Sequence, residues 1–68
     1  MIYSLTGELT YIGDQFLVVE CGGVGFKCFT SVATAANAGR IGDQIRLYTY
    51  LSVKEDALDL YGLSLIHI

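Results

Sequence analysis

The sequence predicts an all-β domain: a small closed or nearly closed barrel of five strands, with one short helix between the third and fourth. Three observations carry this. Five segments have strand-like composition or period-2 alternation. A single Ala-rich insertion interrupts them. The chain has only 68 residues, so five strands must share one thin core, and closing them into a barrel removes the edges that would invite aggregation.

The first segment, Met1 to Ile12, is rich in Ile, Tyr, Leu and Thr and lacks a 3-4 apolar stripe. Gly13-Asp14 bounds it. Phe16-Leu17-Val18-Val19-Glu20-Cys21 is a short apolar run closed by Gly22-Gly23, and Val24-Gly25-Phe26-Lys27-Cys28-Phe29 follows at once. The Gly pair predicts a tight hairpin, because glycine reaches positive φ without a Cβ clash. Gly25, isolated inside a strand pattern, predicts a bulge or a close backbone approach. Thr30 to Gly39 is Ala-rich, opens with the candidate N-caps Thr30 and Ser31, and has Asn37 and Gly39 as terminators. It reads as one or two turns of helix. Ile45 to Leu51 is the clearest alternation in the chain: Ile45, Leu47, Thr49 and Leu51 share one face, and Arg46, Tyr48 and Tyr50 the other. Ser52-Val53-Lys54-Glu55-Asp56-Ala57 is polar and joins this strand to Leu58-Asp59-Leu60-Tyr61-Gly62-Leu63, which alternates again. Ile-Gly-Asp-Gln occurs at Ile12 to Gln15 and at Ile41 to Gln44. The surroundings differ, so shared turn chemistry explains the pair better than an internal repeat.

Composition narrows the function. Apolar residues make up 53 % and charged residues 16 %, with eight Gly and no Pro, which excludes a disordered tail. No apolar run approaches the ~20 residues of a membrane helix. The first residues show no basic region followed by an apolar stretch, so a cytoplasmic location is expected. Four cations against seven acids give a net charge of −3. Lys27, Arg40, Arg46 and Lys54 are too few and too scattered for strong phosphate binding, so this chain by itself is expected to bind nucleic acid weakly. Cys21 and Cys28 are seven apart, not a recurring zinc spacing, and they read as small buried hydrophobes rather than a disulfide or metal site.

No nucleophile constellation is visible. The one imidazole, His67, lies near the C-terminus in a region expected to fray. Gly22-Gly23-Val24-Gly25 lacks the Lys-Ser or Lys-Thr of a phosphate loop and opens no helix. No cofactor is expected. The feature that stands out is Glu55-Asp56, with Lys54 before it and Asp59 after. Three readings remain open for it. Charged residues keep a turn solvated. A weak divalent-metal site would need oxygen ligands beyond Asp59. Alternatively, the pair is an electrostatic device. Each carboxylate repels a phosphate by only about 0.5 kcal/mol at ~8 Å in water, so one copy does little, but copies gathered by a symmetric oligomer can steer strands. Tyr48, Tyr50 and Tyr61 are either base-stacking platforms or, as the scarcity of positive charge favours, packing and protein-interface residues.

Two motifs carry a resemblance. Val19-Glu20-Cys21-Gly22-Gly23-Val24-Gly25-Phe26 and Val53-Lys54-Glu55-Asp56-Ala57-Leu58-Asp59-Leu60-Tyr61-Gly62 resemble signatures of the RuvA family, the Holliday-junction-binding subunits of the bacterial branch-migration complex. Met1-Ile2 and Leu5-x-Gly7 resemble that family's first strand, and the similarity covers about residues 1 to 63. The resemblance implies an OB-fold barrel as the N-terminal domain of a homotetramer that holds a four-way junction open. It implies that Glu55 and Asp56 form an acidic pin repelling phosphates at the junction centre, with Lys54 as a possible flanking contact, and that Gly22, Gly23 and Gly25 shape a structural hairpin. It further implies a role in DNA recombination and repair, and a non-catalytic subunit whose ATP-driven partner is RuvB. The resemblance extends to neither the family's paired helix-hairpin-helix domain nor its motor-contacting domain. Leu63 stands where the family usually has Phe. Residues 64–68 do not resemble the polar linkage that normally follows and are expected to be a truncation scar or appended tail.

Overall fold

The structure, a computed structural model, describes residues 2–54 and 57–68. Five strands and one helix follow in chain order: β1 (Ser4–Ile12), β2 (Phe16–Cys21), β3 (Val24–Phe29), α1 (Val32–Ala36), β4 (Gln44–Val53) and β5 (Leu58–His67). The strands close into a barrel in the order β1-β2-β3-β5-β4. All pairs are antiparallel except β3 with β5, where Cys28↔Leu60 and Phe29↔Tyr61 form a short parallel ladder that completes the closure.

β1 serves two neighbours. Its first half, Ser4 to Glu8, pairs with β4, and its second half, Glu8 to Ile12, pairs with β2. The handover is tight at Gly7, where an added Cβ would stand 2.2 Å from the Glu20 carbonyl oxygen. Only glycine lets the backbones approach so closely. Thr10 is an extra residue between the pairs Leu9↔Val19 and Tyr11↔Val18, and such a bulge bends and twists the strand around the barrel.

Gly22 and Gly23 have φ of +59° and +86° and join Cys21 to its partner Val24. Positive φ at both central positions marks a type I′ turn, whose twist matches that of the strands it joins. Gly25 is the site of neither the bulge nor the close backbone approach expected there: an added Cβ would meet only Val18 Cγ1, at 3.4 Å. The β2–β3 register runs unbroken through Glu20↔Gly25, and the irregularities fall at Thr10 and at Leu63, between Tyr48↔Ser64 and Thr49↔Gly62. A type I′ turn already supplies the twist that a bulge would add, so the short β2–β3 hairpin needs none.

Alternation sets the core. Leu9, Leu17, Val19, Cys28, Ile45 and Leu47 are fully buried, and Leu5, Leu60, Ala35 and Ala38 join their cluster. Each fully buried Leu or Ile contributes about 1.5–3 kcal/mol relative to exposure. Among the described residues Thr49 is the buried polar side chain, and its hydroxyl donates to the Ile2 carbonyl at 2.9 Å. Helix α1 is capped by Ser31, whose Oγ accepts from the Thr34 amide at 3.1 Å. Asn37 Nδ2 donates back to the Ala33 carbonyl at 2.8 Å. The two Ile-Gly-Asp-Gln segments close different connections: one joins β1 to β2, and the other turns the chain from α1 into β4.

The C-terminal residues do not fray. β5 pairs with β4 as far as Ile45↔His67, Ile68 donates to the Gln44 carbonyl at 3.1 Å, and His67 Nε2 lies 2.8 Å from the Ala38 carbonyl oxygen.

Candidate functional site

β4 and β5 are the longest strands, ten residues each, and their ladder outruns the rest of the barrel. The β1–β4 ladder ends at Ser4↔Tyr48, and one further backbone bond joins Thr49 to Tyr3. β3 meets β5 only at Leu60 and Tyr61. Beyond these points Ser52↔Asp59 and Val53↔Leu58 have no third strand paired beside them among the described residues, so the arm continues as a two-stranded ribbon. Val53 and Leu58 lie on the continuation of the core-facing side, yet they are 71 % and 69 % exposed because no barrel wall remains to cover them. Past that pair, the Lys54 amide donates to the Ala57 carbonyl at 2.8 Å, and the Ala57 amide donates to the Lys54 carbonyl at 3.4 Å. Lys54 is exposed. Glu55 and Asp56, the sequence-predicted acidic pair, lie outside the described residues.

Among the described residues, no group of three or more His, Cys, Asp or Glu stands close enough to hold a metal ion. Both cysteines are free thiols. Cys21 is half-buried, with its Sγ 3.3 Å from the Thr6 carbonyl oxygen. Cys28 is fully buried, and burial, with Cys21 as a smaller second cause, pushes its thiol from 9.0 up to about 11. It is therefore an inert core residue at neutral pH. An open cleft of about 460 Å³ lies between α1 with its C-cap (Ala33, Thr34 and the capping Asn37) and β5 (Leu63, Leu65, His67).

The outer wall carries a feature that the sequence reading found only in part. Tyr11 stacks on Phe16 with ring centroids 5.6 Å apart and planes at 20°. Phe16 is the cross-strand partner of Phe29. Phe29 meets Tyr61 at 5.8 Å, and Tyr61 is paired with Tyr50. The ammonium of Lys27 sits 4.5 Å from the Phe16 ring centre and 5.2 Å from that of Phe29. The row thus takes one aromatic ring from each strand in barrel order. The reading of the sequence singled out Tyr50 and Tyr61 but passed over Tyr11, Phe16, Phe29 and Lys27. Their signal was present: a two-residue turn at Gly22-Gly23 sets Phe16 opposite Phe29, and both alternate out of phase with the buried Leu17 and Cys28. Tyr48 points outward as well, but it meets Tyr3 edge-on at 5.7 Å, apart from this row.

A closed five-stranded barrel with its helix between β3 and β4 and a long β4–β5 arm defines an OB-fold domain. The family model "RuvA N terminal domain" matches residues 1–62, and the chain belongs to that family. The Holliday junction branch migration complex subunit RuvA of Acetivibrio thermocellus is 45 % identical over 62 residues, covering 91 % of this chain and 31 % of that protein. The subunit of the same name from Chloroflexus aggregans is 47 % identical over 64 residues, covering 94 % and 33 %. That from Dehalococcoides mccartyi is 42 % identical over 62 residues. The chain spans about a third of the length of the curated relatives it matches.

Proposed function

We propose that this domain is the assembly and strand-guiding module of a Holliday-junction-binding subunit, with Glu55 and Asp56 as an acidic pin at the end of the β4–β5 arm. The observation that carries the reading is the closure of the arm. The bond pair between Lys54 and Ala57 leaves two positions to join them, at the end of a ribbon that has already left the barrel. Two cations on the barrel are engaged elsewhere: the Arg46 guanidinium donates to Thr6 Oγ1 at 3.0 Å, and Lys27 is held over two rings. Acting alone, the pair repels a phosphate by about 1 kcal/mol at ~8 Å in water. In a homotetramer four pairs converge, and the repulsion decides where backbones pass. Lys54, next to the pair, is a flanking phosphate contact in this reading. The subunit is non-catalytic and acts with a separate ATP-driven motor, RuvB, through regions beyond this domain.

The test fuses residues 1–62 to the remaining two thirds of the Acetivibrio thermocellus relative and measures four-way-junction binding against duplex competitor. The fusion is expected to prefer the junction. Glu55→Gln with Asp56→Gln is expected to cut that preference about fivefold, the equivalent of ~1 kcal/mol. An unchanged preference would refute the pin.

A second reading, an assembly domain with no direct DNA role, draws on the exposed Val53, Leu58, Leu63 and Ile66 along the same two strands. It requires self-association of the 68-residue chain, which sedimentation measures directly.

A further inference from the structure

We propose that the outer edge of β5 from Leu63 to His67 is a pairing surface for a second copy of this chain, the two edges joining antiparallel about a two-fold axis at Leu65. The edge lies beyond residues 1–62, which the family model matches, and the proposal is independent of the strand-guiding reading.

The edge is open because the barrel closes early. β3 meets β5 only at Leu60 and Tyr61, whereas β5 runs on to His67. In an antiparallel ladder, successive residues turn their backbone groups alternately toward the partner strand and away from it. The Ile68 amide donates to the Gln44 carbonyl at 3.1 Å. Counting back along the ladder, Ile66 and Ser64 also face β4, so Leu65 and His67 turn their N–H and C=O groups outward. Among the described residues, no strand pairs with them on that side. Helix α1 does not take the place of one: the open cleft between α1 and β5 runs along this edge. His67 Nε2, 2.8 Å from the Ala38 carbonyl oxygen, ties the end of β5 to the chain just past the helix and holds the edge in place.

Three features fit a second copy. First, the segment is self-complementary. With Leu65 opposite Leu65, the two residues exchange both bonds, and each His67 faces the partner's Leu63. Second, Leu63-Ser64-Leu65-Ile66-His67 contains no Asp, Glu, Lys or Arg. Two copies therefore meet without a like-charge pair, although each chain carries a net charge of −3. Third, Leu63 and Ile66 are 68 % and 47 % exposed, and pairing covers part of both. The remaining open edge on β3, from Val24 to Lys27, is built differently. It carries Gly25 and Lys27, residues that weaken a strand and blunt an edge. The β5 segment has no such guard. A two-fold axis uses both β5 edges at once, so association stops at the dimer. So short a ladder buries far less than the ~1,200 Å² of a stable interface, and the dimer forms between about 10 μM and 1 mM.

The experiment follows the 68-residue chain by sedimentation equilibrium from about 1 μM to 1 mM, with amide hydrogen exchange at both ends of that range. The mass is expected to rise from one chain toward two. The Leu65 and His67 amides are expected to exchange about tenfold more slowly in the concentrated sample. Two double variants test the register, in which Ser64 of one copy lies opposite the partner's Ile66. Ser64→Glu with Ile66→Glu sets like charges against each other at both symmetry-related pairs and should weaken the dimer about tenfold. Ser64→Lys with Ile66→Glu sets opposite charges there and should bind within about threefold of the parent. Both variants place the same new carboxylate across from Arg46, and circular dichroism checks that both keep the fold. A chain that stays monomeric up to about 1 mM would overturn the proposal. So would a dimer whose Leu65 and His67 amides gain no protection, or one that the two variants affect equally. Glu55 and Asp56 are kept in every sample, so failure of this edge and failure of the pin are separable.

Discussion

The body of the barrel and the far end of the β4–β5 arm are built from the same two strands but obey different physics. At Ile45 and Leu47 the strand has a neighbour on both sides and a sealed core beneath, and both residues are fully buried. Six and eight residues further along, on the same face of the same strand, Leu51 is half-buried and Val53 is open to water. The period-2 pattern continues across this boundary, but what it encodes changes. In the body an apolar side chain is a share of folding energy. On the arm it is surface, and the ribbon is held by its own ladder and turn alone. A hairpin of so few pairs is marginal by itself, so the barrel acts as the anchor of the short ribbon.

Truncation gives the largest contrast. Leu47→Ala is expected to cost 2–5 kcal/mol, because it removes transfer energy and leaves a cavity in close-packed surroundings. Val53→Ala, on the same face, should stay within about 0.5 kcal/mol. Urea melts of the two variants measure both, and comparable losses would mean that the arm is packed in solution.

A smaller effect separates the sealed interior from solvent by pH. The Cys28 thiol titrates near 11 in the fold against 9.0 when unburied. The folded state therefore favours the neutral thiol. Its contribution is complete below pH 9 and falls as pH rises through 11, by up to about 2 kcal/mol. Comparing melts of the parent and Cys28→Ala between pH 8 and about 11 isolates this term, since other groups titrating there are common to both. The parent should lose its advantage progressively. Parallel curves would place Cys28 in contact with water.

Much of this architecture was legible in the sequence, for a physical reason. Each strand of a small barrel has one wet and one dry side, so Ile45, Leu47 and Thr49 declare their face by alternation alone. Gly22-Gly23 likewise declares its turn, because two consecutive positive φ angles are strained for most residues and favour Gly, Asn or Asp. Strand order was less accessible: the parallel contact between Phe29 and Tyr61 joins residues thirty-two apart and leaves no local signature. The same long-range step hid most of the aromatic row. Its members look like ordinary strand residues until closure sets them side by side. Gly7 is a related case. The Glu20 carbonyl that forbids a side chain there comes from another strand. His67 was misread for the opposite reason: terminal position suggested fraying, but the bond to the Ala38 carbonyl and the ladder to Ile45 hold it in place.

The central claim, that this fold holds negative charge out toward DNA, is electrostatic and therefore answers to salt. The decisive measurement is the duplex affinity of the fused protein, parent against Glu55→Gln with Asp56→Gln, from roughly 0.05 to 0.5 M salt. The double variant should bind duplex about fivefold more tightly at the low end, and the gap should close as the screening length contracts to a few ångströms. An equal affinity at low salt, or a gap that persists undiminished at high salt, would contradict the account.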